Sequence, residues 1–278
     1  MKLIKPSVEI IKQEEYDLNH IFKFIELAGR TCYKSEDKIT EDSAKEFVDR
    51  MIRSEHSAML EHGTVYLTIP NKNVSKSLLI YYCERNPYSK IVWTDTNVYI
   101  TTNYRVIIEN NWNDHIEYIT SPTEFHVKRT TVKFICDRGV SHEFVRHRVF
   151  SFAQESTRYC NYTKDKFNNE LTFIIPCWIK DLEEGNYYAY CEYHHSKNDA
   201  SKRWFDSCMS SEFVYTNLIE EGWKPQEART ILPNSLKTEL IMTGFDGDWQ
   251  KFFELRCAPN AHPQAKELAD MLKDKFNK

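Results

Sequence analysis

The sequence predicts an α+β fold in which a mixed or antiparallel sheet is flanked by helices. Segments with helical periodicity and strand-like segments are intermixed, without the regular strand–helix–strand repeat of a doubly wound parallel sheet. Hydrophobic residues make up 41% of the chain and aromatic residues 14%, which is typical of a folded globular protein. Because no internal repeat or low-complexity linker divides the 278 residues, we expect a single domain over residues 1–278.

The N-terminal part predicts two helices followed by a strand. Apolar residues recur at three- and four-residue steps after Glu14, and Gly29 is expected to end this first helix. Thr40 can cap the second helix, since acidic residues follow it in the first turn. The alternation of Val65 and Leu67 with less apolar neighbours predicts a strand. The predicted elements are, in order, helices over 14–29 and 44–52, a strand over 64–69, a helix over 74–85, and extended or hairpin structure over 98–108 around Thr102 and Asn103.

The rest of the chain also predicts strands and helices in irregular succession. Gly222 is expected to end a long helical segment, and Pro225 occupies a first-turn position, where proline favours a helix. A short helix is expected to deliver the basic run that begins at Arg146. The predicted elements are a strand over 130–136, a helix over 140–148, a strand over 171–176, one or two helices over 186–221, a helix over 225–232, a strand over 237–243, and helices over 248–255 and 263–276.

Composition excludes several kinds of site. The chain has seven glycines and neither a G-x-G-x-x-G run nor a P-loop, so a bound phosphate must be met by side chains. Eight cysteines without a C-x-x-C pair predict neither a zinc site nor a redox pair. His194 and His195 near Glu192 could suggest metal ligands, but adjacent residues point to different helix faces. No metal site is therefore predicted.

The same features predict a cytoplasmic protein without membrane association. The N-terminal residues lack the apolar run of a signal peptide, and no segment approaches the length of a membrane span. The cysteines are best interpreted as reduced thiols, which fits a reducing compartment.

The most informative stretch is residues 146–159, R-H-R-V-F-S-F-A-Q-E-S-T-R-Y. Arginine forks bind phosphate and carboxylate in two-point geometry, so several in one run favour a socket for a multiply charged ligand. A surface basic patch with ordinary ion pairs is the alternative. The interleaved serines and amide, and the apolar residues Val149, Phe150 and Phe152 that could anchor the segment to a core, favour the socket.

This run closely resembles the defining motif of the flavin-dependent thymidylate synthases, R-H-R followed at fixed spacing by Ser, Ser and Arg-Tyr. Three further blocks resemble family blocks: residues 61–64, 227–233 and 252–256. The resemblance extends from about Arg30 to the C-terminus, apart from an extra segment at about 70–128. This segment could cover the site, extend an oligomer interface or do neither, and the sequence leaves the choice open.

The resemblance implies the family's thymidylate synthase-complementing fold and its reaction. It implies that dUMP is reductively methylated to dTMP, with 5,10-methylenetetrahydrofolate as carbon donor and FAD, reduced by NADPH, as hydride source. It further implies a homotetramer whose active sites are shared between subunits. Such sharing would explain how a glycine-poor chain without a dinucleotide-binding fold holds FAD.

The resemblance also implies roles for individual residues. Arg256 matches the family arginine that polarises the pyrimidine and is the predicted catalytic residue. The residues that match dUMP contacts are Glu143, Phe144, Val145, Arg146, Gln154, Glu155, Ser156, Thr157, Arg158, Arg229 and Arg256. The residues that match FAD or folate contacts are His62, Thr64, Arg146, His147, Arg148, Gln154 and Lys251.

Some positions depart from the family pattern. Gln154 stands where many members carry an acidic residue, and the acid is displaced to Glu155. Residues 245–247, Phe-Asp-Gly, replace an Asn-containing run that contacts the flavin in relatives, and Lys251 replaces another polar contact. Individual flavin contacts around 245–251 therefore stay open.

Two further interpretations compete with this one. Attack on the pyrimidine by a cysteine thiolate would need an activated thiol, and neither Cys160 nor Cys257 has neighbours that resemble those of the classical synthase. An RNA- or nucleotide-phosphate-binding module without catalysis could use the arginines and aromatics. The net charge of −4 and the sequence pI of about 6.2 argue against an RNA-binding surface.

Overall fold

The computed structural model describes residues 1–74, 85–188 and 198–277. Most of the predicted helix over 74–85, and residues 189–197 of the helical segment predicted over 186–221, lie outside the described residues. Within that segment Asn186 belongs to a strand instead, and the described helix begins at Asp199. The helices are α1 (Leu18–Tyr33), α2 (Ser43–Arg53), α3 (Tyr104–Glu109), α4 (Arg138–Phe144), α5 (Asp199–Glu220), α6 (Pro225–Ala228), α7 (Asp246–Arg256) and α8 (Pro263–Phe276). None of the helices in these ranges is long and apolar enough to cross a membrane.

The described strands form three sheets. The strands are β1 (Lys2–Ile4), β2 (Ser7–Ile11), β3 (Thr64–Pro70), β4 (Lys90–Trp93), β5 (Asn97–Asn103), β6 (Arg129–Asp137), β7 (Ser151–Gln154), β8 (Thr172–Ile174), β9 (Gly185–Asn186) and β10 (Lys237–Phe245). The central sheet, of order β2-β6-β10-β7, is antiparallel, as is the sheet of order β3-β5-β4. In the third sheet β1 runs parallel to β8 and antiparallel to β9. The predicted α+β class with a mixed or antiparallel sheet is confirmed.

The central sheet is packed on both faces, because successive residues of a strand point to opposite sides. Leu240 and Met242 of β10 join the core formed with α4, α7 and α8, where Trp249 is fully buried. Ile241 packs against Ala28 of α1 on the other face. Alternate side chains of β7 and β10 therefore face either the core formed with α4, α7 and α8 or the α1 side of the sheet.

The described part of the extra segment is built into the N-terminal core. Strands β4 and β5 extend the sheet begun by β3, in which Leu67 pairs with Ile100. Val106 and Trp112 are buried with apolar residues of α1 and α2. The ring of His126 lies 3.0 Å from the carbonyl oxygen of Leu67. The segment thus supports α1 and β3, and it leads the chain into β6.

Helix α1 does not end at Gly29, as the sequence predicted, but continues to Tyr33. The residue that follows, Lys34, has the left-handed conformation with φ of 48° and caps the helix. A Cβ atom at position 29 would lie 2.4 Å from Cζ of Phe47. Glycine is needed here because α2 packs closely against α1, not because the chain turns.

Two predicted features near the site also need correction. The extended structure predicted around Thr102 and Asn103 is confirmed as far as Asn103, where β5 ends, but no hairpin turn follows. Asn103 instead caps α3, because its side chain accepts a hydrogen bond from the backbone N–H of Val106 at 3.1 Å. Helix α4 ends at Phe144, so the R-H-R run lies in the turn after it. The sequence did not predict the short strands β1, β2 and β7, whose identity depends on pairing with distant partners.

Candidate active site

Arg256, the predicted catalytic residue, lies at the end of α7 and is 8% exposed. Its Nη1 donates to Oε2 of Glu143 at 2.9 Å, and its Nη2 donates to the carbonyl oxygen of Glu143. Its Nε donates to Nε2 of His147 at 2.9 Å. A guanidinium has five N–H groups, so two are left for a ligand. The arrangement holds a positive charge with two available donors beside the R-H-R turn.

Aromatic packing holds α4 and α7 in this position. Phe144 and Phe252 are fully buried with ring centroids 5.1 Å apart, and the ring of His147 lies 5.0 Å from that of Phe252. Helix α4 begins directly after β6, where the Asp137 carboxylate accepts a hydrogen bond from the N–H of Val140 at 2.7 Å. The sheet therefore positions α4, and the aromatic contacts dock α7 against it.

The electrostatics of the cluster fix its protonation states at neutral pH. Burial, and then the charge of Arg256, lowers the pKa of His147 from 6.5 to about 4. The imidazole is therefore neutral, and because its Nε2 accepts from Arg256, its proton lies on Nδ1. The hydrogen bond from Arg256, followed by the charge of Arg146, lowers the pKa of Glu143, which stays ionised. The cluster thus combines one cation, one carboxylate and one neutral ring.

His147 should make the protein less stable as the pH falls from about 6.5 towards 4. In this window the unfolded chain binds a proton at position 147 that the folded chain does not, so the free energy of unfolding decreases. We expect His147→Gln to reduce the loss of thermal stability between pH 7 and pH 5. Thermal unfolding at both pH values measures this, with His142→Gln, an exposed histidine of α4, as the control. An equal pH dependence in wild type and His147→Gln would contradict the buried neutral state.

Gln154, at the end of β7, is held on the α4 side of the sheet. Its Nε2 donates to Oγ of Ser141 at 2.8 Å and to Oγ1 of Thr238 at 3.3 Å. Sequence reasoning missed both partners, since small hydroxyl residues on a helix and a strand carry no distinctive pattern. Ser141 belongs to the same helix as Glu143, so Gln154 and the Arg256 cluster are linked through α4.

Glu155 points away from Gln154, as expected for neighbours in an extended segment. Glu155 is 2% exposed. Its carboxylate accepts hydrogen bonds from the hydroxyl of Tyr162 at 2.9 Å and from Nζ of Lys237 at 2.8 Å. Because both carboxylate oxygens are engaged, Glu155 anchors the loop and offers no free carboxylate to a ligand. The ion pairs continue from Lys237 to Glu239, and from Glu239 to Lys34 and Lys133.

This buried network was not predicted, although a sequence signal exists for it. Lys237 and Glu239 are two residues apart in a strand, so they share a face. The alternation of charge along an otherwise apolar strand could have indicated a buried ion pair. Its partner Glu155 lies far away in the sequence and was assigned to dUMP instead.

Arg158 and Arg229 form an exposed basic site beyond the loop, beside the buried Thr157. Arg229 Nη1 donates to Oγ1 of Thr157 at 3.3 Å, and Arg158 Nε donates to Oε1 of Gln226 at 3.3 Å. Both guanidiniums are exposed, and neither has a carboxylate partner among the described residues. Ser156 lies at the start of this loop, where its Oγ accepts from the N–H of Arg158. Two guanidiniums with spare donors and no counter-ion suit a phosphate group.

His62 and Thr64 lie on the α1 side of the central sheet, in a separate group. His62 is fully buried with its Nδ1 2.9 Å from Oγ1 of Thr243, and burial lowers its pKa to about 3. Thr64 Oγ1 accepts a hydrogen bond from Nη1 of Arg129 at 3.2 Å, and Nη2 of Arg129 donates to Oγ of Ser151 at 3.4 Å. No sequence pattern singled out Arg129, because it lies outside every matched block.

Among the remaining candidates, Arg146 joins the Arg256 cluster through an ion pair with Glu143. The ring of Phe144 is fully buried in the core, so only its backbone is available to a nucleotide. Arg146 is exposed, and its Nη1 lies 3.4 Å from Oε1 of Glu143. Lys251 is also exposed, and its Nζ lies 3.9 Å from Oδ1 of Asp248. The side chains of Val145 and Arg148 are exposed on the R-H-R turn.

Glu15, Asp17 and His20 form a small cluster at the start of α1, where Asp17 is the N-cap residue. Glu15 and Asp17 lie 3.1 and 2.9 Å from the ring nitrogens of His20, and Asp17 accepts from the N–H of His20. These contacts satisfy the first turn of α1. The histidines at 194 and 195 lie outside the described residues.

Comparison with known proteins gives a consistent family match. The family model described as thymidylate synthase complementing protein matches residues 108–278, which is more than half of the chain. The match includes the R-H-R run and Arg256, and it begins within the described part of the extra segment. The block at residues 61–64 lies before it.

Individual relatives agree with this match. A protein of Pyrococcus furiosus named flavin-dependent thymidylate synthase is 29% identical over 199 residues, which are 69% of this chain and 74% of that protein. One of the same name from Geobacter sulfurreducens is 29% identical over 133 residues, 48% of this chain and 49% of that protein. The solved structure of a UMP/dUMP methylase PolB from Streptomyces cacaoi aligns with 99% of this chain and 92% of its own at 17% identity, with a TM-score of 0.44 that is too low to support a conclusion.

Proposed function

The chain belongs to the thymidylate synthase complementing protein family, and from this premise we propose that it is a flavin-dependent thymidylate synthase. The reaction is the reductive methylation of dUMP to dTMP. Relatives that the chain matches over most of their length carry this activity in their names.

The observation that supports this proposal best is the fixed guanidinium of Arg256. Transfer of a one-carbon group to C5 of uracil requires electron density at C5, and negative charge then develops on the pyrimidine carbonyl. Donors that are already oriented stabilise such a charge without reorganisation. Glu143 and His147 orient Arg256 and leave two N–H groups available for the pyrimidine.

The proposed dUMP site runs from Arg256 along α4 to the exposed basic site. Gln154 is held through Ser141 on the same helix that carries Glu143. Beyond it, the loop anchored by Glu155 carries the group that would receive the phosphate. That group comprises Ser156, Thr157, Arg158 and Arg229.

The residues around the R-H-R turn fit a cofactor that carries a diphosphate. Arg146 and Arg148 are exposed on the same turn, and the chain has no glycine-rich loop that could bind phosphate through its backbone. Arg146, His147, Arg148, Gln154 and Lys251, with His62 and Thr64, are the proposed contacts of FAD and folate. When bound, FAD reduced by NADPH supplies the hydride that completes the methyl group, whose carbon comes from 5,10-methylenetetrahydrofolate.

The side chains of the protein have separate tasks in this reaction. Arg256 polarises the pyrimidine, and the neutral His147 and ionised Glu143 keep its guanidinium in place. Arg158 and Arg229 hold the nucleotide phosphate. Exposure of Arg146, Arg148 and the neighbouring Val149 on one turn suits a homotetramer in which a second subunit completes each site. We place this enzyme in the cytoplasm, since its described cysteines are free thiols.

The purified protein tests the proposal directly. We expect a yellow protein that releases FAD on denaturation and converts dUMP to dTMP when NADPH and 5,10-methylenetetrahydrofolate are supplied. Product formation is followed by chromatography, and omission of each component is the control. A colourless protein that binds RNA in a salt-sensitive manner and makes no dTMP would support the non-catalytic module instead.

No cysteine is expected to act as nucleophile. Burial raises the pKa of Cys160 to about 12 and those of Cys208 and Cys257 to about 11, and it also raises the pKa values of Cys32, Cys136 and Cys177. Thiols with such pKa values are protonated at neutral pH and are poor nucleophiles. Cys83 and Cys191 lie outside the described residues.

Replacement of each of the eight cysteines by serine, one at a time, should therefore leave turnover of dUMP within a few-fold of wild type. Circular dichroism and FAD content identify the variants that retain fold and cofactor. A variant that passes both controls but forms no dTMP would restore the cysteine-attack mechanism.

A further inference from the structure

A cavity of about 360 Å³ lies on the α1 side of the central sheet, apart from the Arg256 cluster. It is bounded by the start of β6, the segment after β2, α1 and the start of β3. The extra segment contributes to its wall just before β6. The lining residues used below are Gln13, Tyr16, Phe24, Tyr66, Lys128 and Arg129.

Arg129 carries a positive charge into this cavity without an ionic partner. Its guanidinium donates to the carbonyl oxygen of Glu61 and to the hydroxyls of Thr64 and Ser151, at distances from 3.2 to 3.4 Å. All of these acceptors are neutral, and no carboxylate of the described residues forms an ion pair with it. Burial lowers the pKa of Arg129 to about 10, so it stays charged at neutral pH. Arg129 is only partly exposed, so a guanidinium without a carboxylate partner among the described residues is costly here, and an anionic ligand would offset that cost.

Two donors on the cavity wall also lack acceptors. Nε of Arg129 and Nε2 of Gln13 are buried and have no hydrogen-bond partner among the described residues. Buried side-chain donors without a partner are uncommon in folded proteins. Two of them on the wall of one cavity indicate a ligand that supplies acceptors.

The other lining residues define the kind of ligand. Lys12, Lys128 and Arg129 face a single lining carboxylate, that of Glu14, so the cavity has two positive charges in excess. The rings of Tyr16 and Tyr66 meet edge to face with centroids 5.2 Å apart, and Phe24 adds a third aromatic side chain. A planar group would pack against these rings.

We propose that this cavity binds a planar ligand whose tail carries two negative charges, with Arg129 and Gln13 as its donors. In the proposed reaction FAD, with its diphosphate, and a folate, with the two carboxylates of its glutamate tail, have this chemistry, whereas dUMP is assigned to Arg256 and the exposed basic site. Thr64, which also lines the cavity, was predicted to contact FAD or folate. The inference therefore rests on the proposed function and adds a binding residue, Arg129, to it.

Binding measurements on the full-length protein distinguish the two sources. FAD affinity is obtained from the flavin retained on dilution, and tetrahydrofolate affinity from calorimetric titration. Arg129→Gln should weaken the binding of one of these probes about 10- to 100-fold, because it removes a charge-assisted contact. The probe that is affected identifies the ligand. Lys45→Gln, which removes an exposed lysine of α2, is the control and should leave both affinities unchanged.

A second variant keeps the test valid if Arg129→Gln does not fold, since Arg129 also joins β6 to residues before β3. Lys12→Gln combined with Lys128→Gln removes two exposed charges of the cavity and should weaken the same probe about two- to five-fold. Unchanged affinity for both probes in the variants that fold would overturn the proposal.

This outcome is separable from failure of the proposed function. A wild-type protein that methylates dUMP while the cavity variants bind both probes normally overturns the cavity alone. A wild-type protein that binds a probe through Arg129 but makes no dTMP overturns the proposed function alone.

Discussion

Arg256→Ala should lower kcat for dTMP formation about 100- to 1,000-fold while FAD remains bound. Removal of one oriented donor from a site of developing negative charge typically has an effect of this size. Arg256 is held by Glu143 and His147 and is not itself a proposed FAD contact, although His147 is one. Steady-state turnover of dUMP and the flavin absorbance of the purified variant measure the two parts of the prediction.

The variant also leaves Glu143 without its partner, so a loss of stability must be separated from a loss of catalysis. Arg256→Lys keeps the positive charge but not the fork, and should recover stability better than turnover. Arg105→Ala is a matched control, because it also removes an ion-paired arginine, one that pairs with Glu61 and Glu109 rather than with the residues around Arg256. If Arg256→Ala turned over dUMP within a few-fold of wild type, the catalytic assignment would be wrong.

Arg158→Ala and Arg229→Ala should each raise KM for dUMP about 10- to 100-fold and change kcat much less. One charge-assisted contact to phosphate is lost in each variant, and a contact made equally in ground and transition states affects mainly KM. High dUMP concentrations should therefore restore the activity of both variants, in contrast to Arg256→Ala. Titration with dUMP, followed through the flavin spectrum, gives the affinity independently of turnover.

The local contacts of these arginines provide an internal check. Arg229 donates to Thr157, and Arg158 donates to Gln226. Gln226→Ala removes one of these contacts without removing a charge, so it should change KM much less than Arg158→Ala. Arg203→Ala, which removes an exposed arginine of α5, controls for overall charge. Unchanged dUMP affinity in both arginine variants would mean that Arg158 and Arg229 serve the local structure only.

The sequence was sufficient to predict features that depend on neighbouring residues. Hydrophobic periodicity predicted α2 and α8 nearly to their ends, and alternation predicted β3, because these patterns reflect which face of an element is buried. The motif run and the block ending at Arg256 predicted the family that the comparison then showed. The single-domain prediction and the roles of the individual site residues stay predictions.

The contacts of a side chain with residues that are distant in the sequence were decided only by the tertiary structure. Glu155 and Gln154 are adjacent in the motif, yet one joins a buried ion-pair network and the other faces α4, because β7 pairs with β10 in one register. Gly29 was predicted to end a helix, but it lies inside α1, where Phe47 of α2 packs against it.

The sequence by itself thus predicted the fold class, many of the helices and strands, and the family. Only the folded chain decided which side chains share an environment. His147 and Arg256 are 109 residues apart, and Arg129 lies 65 residues from Thr64. No local pattern encodes such pairs, because they depend on sheet register and on helix packing, which are set by the whole core. The same register placed Arg129 at a cavity where no carboxylate of the described residues pairs with it, a property that its position in the sequence does not reveal.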